Sequence, residues 1–154
     1  MPLVSRASIF IDAPRQAVWA ALMQRSTLLA IMPVTEVVLG WRVGEPFLWI
    51  FEFGDRRSHV EGFVHRMEED RLLEYEYGDP YARDVLRSAT VHRVTIELAD
   101  ERGGTRITAA QDDNATLDAH AHAEGGWRLA LHNLKHLVEL EEQLRLRISA
   151  RIAR

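Results

Sequence analysis

Seven histidines and no cysteine bound the chemistry open to this chain. His132 and His136 stand four apart, the spacing that lets two imidazoles share a metal ion on one helix face. Helical phase argues against that use. Leu131, Leu134 and Val138 mark the inward direction of the segment, and both histidines point nearly opposite, without the outer hydrogen-bond partners that orient a metal ligand. Neither a metal nor a cofactor is expected. His120 and His122 read as loop residues just ahead of that helix, at a cleft mouth or on the surface.

The strand histidines are better placed to meet a ligand. His59, Glu61, Phe63, His65 and Met67 share one parity, while His92 joins Val94, Ile96 and Leu98 on another apolar face. Unpaired burial of a polar group costs about 1–3 kcal/mol. Each histidine is therefore a hydrogen-bonded core residue, an exposed edge residue, or a polar anchor for a mostly apolar ligand. Tyr75, Tyr77 and Gln111 offer hydroxyl and amide contacts to the same anchor. The aromatic set Phe47, Trp49, Phe51, Phe53, Phe63, Tyr75 and Tyr77 either fills a core or lines a pocket. Glu141 shares the phase of Leu137, Leu144 and Ile148. It is either a carboxylate held for acid–base work or the wet end of a helix that outruns its sheet. No nucleophile–base pair and no phosphate-loop glycine spacing occurs.

These groups must be positioned by one long helix and one sheet. Gly125-Gly126-Trp127 punctuates the start of an amphipathic helix over residues 128–151, with Trp127, Leu131, Leu134, Leu137, Val138, Leu144, Ile148 and Ile152 recurring at steps of three and four. Before it come a strand at 6–11, a helix that Asp12 caps and Pro14 opens, ending near 25, and a second short helix at 27–32. Strands follow at 35–39, 46–53, 58–67, 72–77, 90–98 and 105–111. Glu69-Asp70 and Arg102-Gly103-Gly104 serve as hairpin turns, and a polar loop spans 78–88. This order predicts an α+β fold in which an antiparallel sheet curls around the final helix, because an uncovered apolar face must be buried.

The 154 residues suit one domain spanning 1–154, with no repeat, linker or low-complexity run. A net charge of −4 offers no electrostatic basis for nucleic-acid binding. The apolar runs are too short to insert into a bilayer, and no signal peptide is evident. With cysteine absent, a cytoplasmic location is expected. Locally, Arg145, Arg147, Arg151 and Arg154 interleave with Leu144, Leu146, Ile148 and Ile152. They complement the helix dipole or meet a second copy of the chain or an acidic partner. Lys135 is the only lysine, which reads as a bias of genomic composition.

Four ordered motifs carry a resemblance. Asp12-Ala13-Pro14-Arg15-Gln16-Ala17-Val18-Trp19 resembles the "Ala-Pro-x-x-x-Val-Trp" helix start of the START-like (SRPBCC) superfamily. Glu61-Gly62-Phe63-Val64 and Arg71-Leu72-Leu73-Glu74-Tyr75-Glu76-Tyr77 are similar to its central hairpin, and Gly104-Thr105-Arg106-Ile107-Thr108 to its "Gly-Thr-x-Leu-Thr" strand. Gly126-Trp127 with Leu131, Leu134, Lys135 and Glu139 resembles the helix of the bacterial branch named after the activator of heat-shock-protein ATPase. The resemblance implies a helix-grip fold with a cleft between the long helix and the concave sheet. It implies a small hydrophobic, aromatic or lipid-like ligand held by Trp49, Phe51, His59, Glu61, Phe63, Tyr75, Tyr77, His92, Gln111, Trp127, Leu131 and Leu134. Two alternatives accompany it. One is a polyketide cyclase/dehydratase-like enzyme using His59, His92 or Glu61 for proton transfer. The other is a protein-interaction module, as a homodimer or with a chaperone. The chaperone activator normally carries a further domain, for which this length leaves no room. Fold alone does not choose among them.

Overall fold

Alternation of apolar and polar residues gathers most of the chain up to Asn114 into strands. A computed structural model, which describes residues 3–38, 41–78, 91–114 and 117–153, joins them in one sheet. The elements are β1 (Leu3–Ile11), α1 (Arg15–Leu22), α2 (Arg25–Ile31), β2 (Glu36–Val37), β3 (Pro46–Phe53), β4 (Arg56–Glu68), β5 (Leu72–Gly78), β6 (Val91–Glu101), β7 (Gly104–Asn114) and α3 (Leu117–Ile152). Neighbours run antiparallel in the order β1-β7-β6-β5-β4-β3-β2. An antiparallel sheet with two short helices after its first strand and a long final helix is the helix-grip fold that was expected. The loop expected at 78–88 lies, from residue 79 on, outside the described residues, as does Arg154.

The hairpin turns form where their chemistry allows. Arg102 and Gly103 both take positive φ, 51° and 78°, the geometry of a primed turn that matches the twist of β6 and β7. Asp70 takes φ 62° between β4 and β5, a conformation acidic and amide side chains tolerate. Asp12 does not cap α1 as expected. Pro14 occupies that position with no side-chain bond, and the Asp12 backbone N–H instead donates to Glu139 Oε2 at 2.8 Å.

One face of the sheet is covered. Trp127, Ala130, Leu131, Leu134 and Val138 of α3 are buried with Val60, Val64, Leu73, Val94, Ile96, Ile107 and Ala109 of the strands. Among the strands, α3 packs most closely on β1. The helix departs from expectation at both ends. It begins at Leu117, so Gly125 and Gly126 lie inside it and His120 and His122 are helical. Each interior glycine costs about 1 kcal/mol relative to alanine, and tertiary anchoring overrides that cost. Trp127 is buried, and the Ser5 hydroxyl donates to the His120 carbonyl at 2.9 Å. Beyond Val138 the helix outruns the sheet. Glu141 is exposed, and Leu144, Ile148 and Ile152 extend the periodic stripe without packing on the body.

The single lysine makes a structural tie. Lys135 Nζ donates to the Phe10 carbonyl at 2.8 Å and to Glu139 Oε2 at 2.7 Å. Partial burial pushes the Glu139 carboxyl up, but bonds from the Asp12 amide and Lys135 outweigh it and hold the group below its ordinary value of 4.5. A depressed carboxylate stabilises the fold above its unfolded pKa, and that contribution is lost as pH falls through the folded one. The urea midpoint of the wild type should therefore exceed that of Glu139→Gln near neutral pH, and the gap should close in acid below the ordinary value. A gap independent of pH would mean that Glu139 acts only through packing.

Candidate functional site

The space between α3 and the curved sheet is where a ligand cleft was expected. On the inner face of β3 and β5, Trp41, Phe47, Trp49 and Tyr75 stack edge-to-face or tilted, with ring centroids 4.8–6.0 Å apart. Trp49, Tyr75 and Phe47 are fully buried, as are Leu134 and Val138 of the helix. Phe51, Leu131 and Trp127 are buried too, while the side chain of Phe53 lies outside the described residues. Burial and a low-dielectric surround push the Tyr75 hydroxyl well above its usual range, so it remains protonated. The inner face of β3 and β5 is thus packed with rings.

Trp41 was missed by sequence reasoning. It follows Gly40 in a stretch that carries no strand periodicity, yet its ring enters the aromatic cluster and its Nε1–H donates to the Leu22 carbonyl at 3.0 Å. Parallel pairing of Val43 with Val64, and the positive φ of Gly44, fold that segment back alongside β4. The only available signal was its size, since so large an apolar ring is rarely left in water.

Polar groups converge at one end of this packed layer. Gln111 Oε1 accepts two hydrogen bonds, from the Tyr77 hydroxyl and from Trp127 Nε1–H, each at 2.9 Å. His92 Nδ1 lies 3.1 Å from the Asp112 carbonyl, which can only accept, so Nδ1 carries the proton. The His92 ring packs on Tyr77 at 5.4 Å between centroids. His92 and Gln111 are both 6% exposed, and Tyr77 is half-buried. Strand register explains the meeting. Tyr77 pairs with His92 across β5 and β6, and Val94 pairs with Gln111 across β6 and β7. The four side chains thus form a compact polar corner walled by aromatic rings.

Three expected members stand elsewhere. His59, Glu61 and Phe63 lie on the opposite face of the sheet, because Val60 and Val64 take the inward positions of β4. His59 and Glu61 instead line a shallow depression on the outer face with Leu48, Ile50 and Arg57. His65 Nε2 sits on that side too, 2.9 Å from Glu76 Oε1. The sheet therefore separates His59 and Glu61 from His92, and these three make no common acid–base site. His132 and His136 are exposed on α3. Among the described residues, no three histidine, aspartate or glutamate side chains gather as a metal would require.

With this geometry in place, comparison with known proteins gives a consistent answer. Residues 12–139 match the family described as Activator of Hsp90 ATPase homolog 1-like protein. No curated protein matches the chain. Among solved structures, ChR145 from Cytophaga hutchinsonii is similar with 27% identity and a TM-score of 0.77, covering 92% of this chain and 97% of that one. The Aha1 dimer from Colwellia psychrerythraea is similar with 17% identity and a TM-score of 0.70, covering 89% and 96%. DynU16 of the dynemicin biosynthetic locus is similar with 17% identity and a TM-score of 0.72, covering 88% of this chain and 47% of that one. The last two likenesses speak to the fold alone, and the fold is START-like.

Proposed function

We propose that this chain, which belongs to the Activator of Hsp90 ATPase homolog 1-like family, holds a small hydrophobic or aromatic molecule between α3 and the sheet. The observation that carries this reading is the polar corner of Tyr77, His92, Gln111 and Trp127 at the edge of an otherwise apolar layer. A largely apolar wall with a few convergent polar groups is the usual make-up of a small-molecule site. A flat ligand bearing a hydroxyl or carbonyl suits it, with the aromatic rings contacting its faces and His92 or Tyr77 orienting its polar end. Room for it comes from the helix. Gly125 and Gly126 directly precede Trp127, and a Cβ at either would meet nothing within 4 Å, so packing does not demand glycine there. The pair lowers the cost of bending α3 where it roofs the corner. The setting we propose is the bacterial cytoplasm, in keeping with the absence of cysteine.

Native mass spectrometry of the untagged protein, followed by extraction of bound compounds, tests the reading directly. A co-purifying aromatic or lipid-like compound supports it. His92→Ala should then weaken binding of that compound about tenfold, the equivalent of roughly 1.4 kcal/mol. Unchanged affinity would remove His92 from the site. A cyclase-like activity would have to run on His92 and Tyr77, since His59 and Glu61 face the other way. The packed Trp41–Phe47–Trp49–Tyr75 cluster favours a second reading, an interaction module of the chaperone-activator type, because a filled interior serves shape rather than cargo. A clean apo mass together with capture of a chaperone ATPase would turn the assignment to that reading.

A further inference from the structure

Beyond Val138 four of the five large exposed aliphatic residues of α3 form a row, with Leu146 on the opposite side of the helix. Leu140, Leu144, Ile148 and Ile152 are 51%, 47%, 58% and 81% exposed and follow one another at steps of four. Such a row is the ridge that packs into the matching groove of a second helix at about −50°, the commonest crossing in globular proteins. A helix that outruns its sheet while keeping this ridge is built to meet another helix.

Charge selects which one. Glu141 and Arg151 lie in the same sector of the helix as the ridge, equidistant from position 146 and on either side of it. A second copy running antiparallel about that point sets Leu144 against Ile148 and Leu140 against Ile152. It also brings Glu141 of each copy level with Arg151 of the other. A parallel copy would set each of these charges against its own kind. Near the crossing point, Arg145 is already engaged by Glu142 at 2.6 Å, which lowers the repulsion between copies. An anionic lipid surface would suit the arginines but not Glu141 and Glu142, nor a chain of net charge −4. We propose that the free end of α3 is a self-association surface through which two copies pair antiparallel about a two-fold axis. The inference is independent of any ligand in the cleft. Four aliphatic side chains per copy place the contact near the low end of specific interfaces, about 1,200 Å², so the dimer should dissociate on dilution.

Sedimentation velocity over two decades of protein concentration should show a monomer–dimer equilibrium. Leu144→Asp combined with Ile148→Asp should leave a monomer at every concentration, with helix content kept and an unfolding midpoint equal to that of the dilute, monomeric wild type. Glu141→Arg alone should raise the dissociation constant at least about tenfold, and adding Arg151→Glu should restore it to within about threefold. A wild-type chain that stays monomeric throughout overturns the proposal. So does a dimer that survives the double aspartate variant, or a charge swap that fails to rescue. A monomer that instead sediments with phosphatidylglycerol vesicles would give the ridge to a membrane surface.

Discussion

Gly62→Ala is expected to lower the unfolding free energy by about 3 kcal/mol, a large effect for one methyl group. A Cβ at Gly62 would run into Phe47 Cζ and stand 2.5 Å from the Glu76 carbonyl oxygen. The carbonyl belongs to β5, whose ladder with β4 pairs Gly62 with Tyr77, so it cannot step aside without breaking backbone bonds. The Phe47 ring has no better escape. It is fully buried, with Trp41, Trp49 and Tyr75 at 5.3, 4.8 and 5.7 Å between centroids. Glycine here is a cradle that lets an aromatic ring cross the strand. Urea unfolding of Gly62→Ala should show the drop in midpoint with an unchanged slope. Phe47→Leu in the same background should recover part of the loss, because it removes one of the two clashing groups. A loss of only a few tenths of a kcal/mol would mean that the strand relaxes and that the ring packing is far looser than the distances imply.

The same strand shows what sequence could and could not reveal. Seven strands, two early helices and a long final helix were legible, because alternation and turn residues report directly on backbone geometry. The face of β4 was not. A reading at constant parity groups His59, Glu61 and Phe63 with Met67. The register between β4 and β5 shifts between Val64 and Arg66, where a bulge inserts an extra residue. Past the bulge Met67 packs against the core, while Phe63 before it is 36% exposed. Constant parity therefore spans both faces of β4, and His59, Glu61 and Phe63 fall on the outer one. β6 carries no such shift against β5, and there constant parity holds: His92 is buried with Val94, Ile96 and Leu98. The start of α3 failed for a different reason. A glycine pair is a local signal, and the packing of Trp127 that overrides it is a tertiary one. Trp41 and the tie made by Lys135 depend on chain segments distant in sequence, which no local pattern contains.

Gln111 carries the other large expected effect, and its argument is one of donors rather than volume. Gln111→Leu keeps approximate size and burial but deletes the oxygen that serves both Tyr77 and Trp127. The Trp127 indole N–H is buried and loses its acceptor, whereas Tyr77 is only half-buried. Stranding a buried donor costs about 1–3 kcal/mol. The summed loss should therefore fall near 2–4 kcal/mol, with most of it at Trp127. A double-mutant cycle separates the shares. Trp127→Phe introduced into Gln111→Leu removes the stranded N–H, and the second substitution should then cost much less than it does in the wild type. Tyr77→Phe should show weaker coupling of the same sign. Strictly additive losses would mean that Gln111 is replaceable by water at both partners. The polar corner would then be wet in the free protein, and a ligand would gain little by displacing its hydrogen bonds. Strong coupling would mark the corner as dry and preorganised, and would leave His92 and Tyr77 poised on a rigid wall.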